Sequence, residues 1–61
     1  MKYLIGRKCK LTIEYGNKLL FFTAKVSNVT DTHISFLDKF DDYFTFNVSD
    51  IKQVKVIKDE N

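Results

Sequence analysis

The sequence predicts an all-β domain of five strands, curled into one small and strongly bent barrel. Three observations carry that prediction. Strand-forming side chains dominate, with five Ile, five Val, five Thr, six Phe and three Tyr against one Ala and no Pro. Polar and apolar residues alternate with period two over several stretches. Short polar turns separate those stretches and leave no segment long enough for a helix.

The elements follow in order. Arg7 to Tyr15 sets Lys8, Lys10, Thr12 and Glu14 on one face and Cys9, Leu11, Ile13 and Tyr15 on the other, a half-buried strand. Gly16-Asn17, with glycine first, suits a type II′ hairpin turn. Lys18 to Val29 is a long second strand, with Phe22, Ala24 and Val26 inward and Phe21, Thr23, Lys25 and Ser27 outward. A strand this long bends when it serves both halves of a small barrel, and Ala24 is the expected bend. Asn28 to Thr32 is a polar turn, and His33 to Asp38 is a third strand with Ile34 and Phe36 inward. Residues 39–42 turn again. Tyr43 to Val48 is the fourth strand, with Phe44, Phe46 and Val48 inward. Ser49-Asp50-Ile51 reads as one tight turn with Ile51 tucked beneath it. Lys52 to Lys58 closes the chain, with Val54 and Val56 inward, and the last residues, 58–61, are expected to fray.

Sixty-one residues allow a single domain, 1–61, and a chain of this size buries only about 60% of its unfolded surface. One cysteine excludes an intrachain disulfide, and Cys9 with His33 falls short of a four-ligand zinc site. Stability is then expected from a tightly packed core, with self-association as a further aid. The fourth and fifth strands, 43–48 and 52–58, alternate cleanly and contain no Pro, which makes them the edges expected to pair between copies. No apolar run approaches the ~20 residues of a membrane helix, and no secretory leader is visible. A cytoplasmic location without membrane association is expected.

Net charge is only +2, but it is unevenly placed. Residues 1–30 carry six cations against Glu14, +5; residues 31–50 carry five aspartates against Lys39, −4; residues 51–61 add +1. A basic end and an acidic end are expected. Lys8, Lys10 and Lys25 share the outer face of the first hairpin with Phe21 and Thr23. Such a face is either plainly solvated or a minimal kit for single-stranded nucleic acid, phosphate attraction plus a stacking platform. Phe40, Asp41, Asp42 and Tyr43 form an acidic-aromatic turn beside Asp38. Phe40 there either packs back under the turn or meets a basic protein partner. Cys9 alternates with Leu11 and Ile13 and should be a buried, inert thiol. Asp38, Asp41 and Asp42 lack the Gly and distal Glu of an EF-hand loop. With no nucleophile–His–acid set, no phosphate loop and no metal cluster, neither an enzyme nor a cofactor is expected.

A one-turn element before a short last strand fits an SH3-like barrel, and beyond that the chain resembles the Sm-like superfamily of Lsm and Hfq proteins. The resemblance rests on Leu4-Ile5-Gly6, on Gly16 in the first turn, on Thr30-Asp31-Thr32-His33-Ile34-Ser35-Phe36 at the Asp/Asn signature, and on Phe46 to Ile51 at the second motif. It implies an oligomeric, RNA-associated or regulatory protein that binds single-stranded RNA, with His33 and Ser35 at the rim of a ring pore. Two positions depart from the pattern. Ser35 stands where the family has a base-binding Asn, and Ser49-Asp50 stands where it has a basic dipeptide. A carboxylate at the latter position repels phosphate. The alternative from another class is an SH3-like module that takes a basic partner on the 38–43 turn.

Overall fold

The computed structural model describes residues 1–57; the tail 58–61, expected to fray, lies outside the described residues. Five strands form one antiparallel sheet: β1 (Lys8–Tyr15), β2 (Lys18–Val29), β3 (His33–Asp38), β4 (Tyr43–Asn47) and β5 (Ile51–Val56). Their order is β4-β3-β2-β1-β5, so the sheet is open, with β4 and β5 as its edges. No helix among the described residues is long and apolar enough to cross a membrane.

Local chemistry explains the connections. Gly16 takes φ +64° and Asn17 has no positive φ, the sign pattern of a II′ turn, which matches the twist of the flanking strands. β2 pairs with β1 from Lys18 to Lys25 and with β3 from Ala24 to Val29. Ala24 and Lys25 are therefore the residues where β2 passes from one half of the sheet to the other. The irregularity itself lies further on, at Ser27: the register steps from Val26–Phe36 to Asn28–Ser35. The Ser27 hydroxyl donates to the Ser35 carbonyl at 3.2 Å, so the extra residue is anchored rather than loose.

One core joins both halves. Leu4, Cys9, Leu11, Ile13, Ala24, Val26, Val29, Ile34 and Phe36 are buried. Phe22, Phe36, Phe44 and Phe46 form a ring cluster with centroids 5.0–6.1 Å apart, the range in which aromatic pairs attract. Full burial of each large side chain is worth about 1.5–3 kcal/mol. Along the edges this cover runs out. Phe44 and Phe46 of β4, and Val54 and Val56 of β5, are only half-buried because no further strand lies outside them.

Four expectations need correction. Tyr15 is 64% exposed, although it alternates with core residues; it has run past the end of the core and makes a T-shaped contact with Phe46, ring centres 5.9 Å apart. The fourth strand stops at Asn47. Val48–Asp50 forms a single 3-10 turn without a side-chain cap, and Ile51 already belongs to β5. The last strand ends at Val56, with the Ile57 N–H still donating to the Lys8 carbonyl at 2.8 Å. A second 3-10 turn, Lys2–Leu4, was not anticipated, and it drops Leu4 fully into the core.

Candidate nucleic-acid interface

Register places the outward residues of β5, β1 and β2 in rows. Lys8 is directly opposite Lys25. In the next row Lys10 stands between Thr23 and Lys55. One row further, Thr12 stands between Phe21 and Gln53. Successive rows are two residues apart, about 6.8 Å along the strand. The expected grouping of Lys8, Lys10 and Lys25 with Phe21 and Thr23 on one face is therefore the arrangement the sheet adopts.

Lysine 55 and Gln53 extend this face from β5, and Lys39 reaches it from the β3–β4 turn. Lys10, Thr12, Phe21, Lys39, Gln53 and Lys55 line a groove of about 520 Å³. Phe21 is 73% exposed in the middle of it, an apolar ring that the core does not use. A period-two reading of β5 turns Lys55 outward. Its place beside Lys10 follows only from the long-range β1–β5 pairing, which no local signal encodes.

Beyond the Phe21 row the charge ends. Lys52 and Glu14 form the only ion pair among the described residues, Nζ–Oε1 3.0 Å. A register shift between Thr12 and Ile13 carries Lys52 toward Glu14, which neutralises that end of the face beside exposed Leu19. The sheet thus runs from a doubled lysine end, through an aromatic middle, to a neutral apolar end.

His33 and Ser35 lie elsewhere. They face outward on β3, opposite Asn47 and Thr45; Leu37 and Tyr43 stand in Lys25's own row, and Ser35 and His33 follow in the next rows along β3. Their hydrogen bonds are local: Thr32 Oγ1 and His33 Nδ1 are 2.7 Å apart, and Ser35 Oγ and Thr45 Oγ1 are 2.9 Å apart. The same patch of hydroxyls, Ser35 first and then Ser27, lowers the pKa of the exposed Tyr43 phenol.

The acidic turn is built by Asp38. One of its oxygens accepts the Phe40 N–H at 2.8 Å and the Asp42 N–H at 2.9 Å, and Asp41 takes φ +66° to complete the reversal. Phe40 does not pack under the turn. It is 72% exposed, with the Lys39 ammonium 5.4 Å from its ring centre, a cation–π contact. Asp38 and Asp41 line a hollow with Lys8 and Lys25, so the acidic turn borders the basic face instead of forming an opposite end. Cys9 is buried and its Sγ–H points at the Arg7 carbonyl, 3.8 Å away; burial raises its pKa, and nearby Arg7 offsets part of that rise.

No family model, curated protein or solved structure matches the chain.

Proposed function

We propose that this is a small non-enzymatic protein of Sm-like type, RNA-associated or regulatory, that binds single-stranded nucleic acid on the outer face of β1, β2 and β5. One observation carries the reading. Lys8, Lys10, Lys25 and Lys55 crowd one face; Glu14, two rows beyond Lys10, is already paired with Lys52, and Asp38 and Asp41 approach only the Lys8–Lys25 end. Like charges placed directly opposite destabilise a sheet, so a face built this way is best accounted for by an anionic ligand. Exposed Phe21 adds the stacking platform that single strands use and duplexes cannot reach.

The strand order, with β2 serving both halves and β5 returning to β1, supports a bent barrel of SH3-like or Sm-like type. Its edges support self-association. A second copy pairing along 43–47 or 51–56 would cover the half-buried Phe44, Phe46, Val54 and Val56. Native mass spectrometry tests this: an oligomer that Thr45→Lys reduces to monomer supports edge pairing, and a monomeric parent protein refutes it.

Binding is tested by fluorescence anisotropy with a labelled single strand. Lys10→Glu should weaken binding, and raising salt from 50 to 200 mM should weaken it further. Unchanged affinity in both sinks the nucleic-acid reading. The exposure of Phe40 favours one alternative, a basic protein partner seated on Phe40, Asp41, Asp42 and Tyr43. Joint Asp41→Lys and Asp42→Lys substitution would abolish that complex. The same pair would leave nucleic-acid binding intact or strengthen it, because Asp41 borders Lys8 and Lys25.

A further inference from the structure

We infer that the β1–β2–β5 face reads a fixed, short stretch of single strand: two phosphates on the two lysine rows, then one base stacked on Phe21. This rests on the single-strand reading above and goes further, to the register and length of the ligand. Lys8 with Lys25 makes one cationic pair, and Lys10 with Lys55 makes the next, one row away. Their separation of about 6.8 Å is comparable with the phosphate repeat of an extended single strand. The following row is uncharged and holds Phe21, with Thr12 and Gln53 beside it as hydrogen-bonding partners for a base edge. The row after that is closed by the Lys52–Glu14 ion pair and Leu19, which offer a phosphate nothing.

The order of these rows sets the footprint at about three nucleotides. A duplex fits poorly, because its bases are already stacked inward and cannot lie on Phe21. Asp41 limits affinity at the Lys8–Lys25 end, since it lines the same hollow as both lysines.

The experiment is a length series of ribo- and deoxyribo-oligonucleotides from two to ten residues, titrated against the full chain. Phe21→Ala and Phe21→Trp are run in parallel; Phe21 is exposed, so neither substitution disturbs the core. Affinity should climb to about three or four nucleotides and then level. The slope of log K against log[salt] should be about −1.4, the value for two phosphates on a single strand. Phe21→Ala should lose about tenfold, the scale of one base–aromatic stack. The indole introduced by Phe21→Trp should retain affinity and be quenched on binding, in a chain that otherwise has no Trp. Asp41→Asn should tighten binding. Affinity that keeps rising to ten nucleotides, a slope of about −3 or steeper, equal binding of a duplex, or indifference to Phe21→Ala overturns the footprint while binding itself stands. An absence of binding at every length overturns the single-strand reading as well.

Discussion

Lys10 of β1 and Lys55 of β5 stand directly opposite each other, on a groove whose lining residues include no carboxylate. Opposed like charges cost a sheet roughly 0.2–1 kcal/mol, so the pair is a local loss of stability that a bound anion would relieve. Lys55→Glu should therefore stabilise the fold by about 0.5–1 kcal/mol while weakening single-strand binding. Thermal unfolding and anisotropy on the same sample check the two halves. A variant that gains stability and keeps its affinity would mark the face as merely solvated.

Core packing gives a second, ligand-independent test. Phe36 is fully buried and touches Phe22, Phe44 and Phe46, so Phe36→Ala removes about 3–5 kcal/mol. Such a loss equals what a core of this size supplies in total, and the variant should be unfolded by circular dichroism. Phe44→Ala acts at a half-buried edge and should cost less, leaving a folded protein.

In the β3–β4 turn, Asp38→Ala leaves the Phe40 and Asp42 N–H groups without their shared acceptor. A loss of about 1 kcal/mol in urea denaturation is expected. Asp41→Gly should move the other way by a few tenths of a kcal/mol, because glycine meets no steric penalty at φ +66°.

Cysteine 9 sets a pH limit. Its folded pKa is raised above the ordinary 9.0 by burial, so the folded protein holds the proton more tightly than the unfolded chain. That contribution is complete below the unfolded value and is lost as pH rises through the folded value. Stability should fall with pH above about 9, and Cys9→Ala should flatten that fall. Alkylation of the native thiol should be slow and should accelerate when urea opens the core.

Much of the fold was legible because β1 and β3 each keep one face buried and β4 keeps one face half-buried, and Gly16 marks its turn in a single residue. The misreadings have a common cause, which is that period two does not say where a core ends. Tyr15 alternates correctly and still lies outside. Leu4 was missed because one 3-10 turn is too short to show a period. The lysine face was legible within the first hairpin, where the Gly16 turn sets the register of Lys8, Lys10 and Lys25. Its completion by Lys55 and Lys39 depends on chain segments that meet only in three dimensions. For the same reason the acidic turn looked like an opposite pole, when it folds back beside Lys8 and Lys25.

The central claim, that the outer face of β1, β2 and β5 takes a single strand, is tested most directly by NMR titration with a short oligonucleotide. Amide and side-chain shifts should concentrate at Lys8, Lys10, Phe21, Lys25 and Lys55 and disappear at high salt. Shifts confined to residues 38–43 or to His33 and Ser35, or none at all, would contradict it.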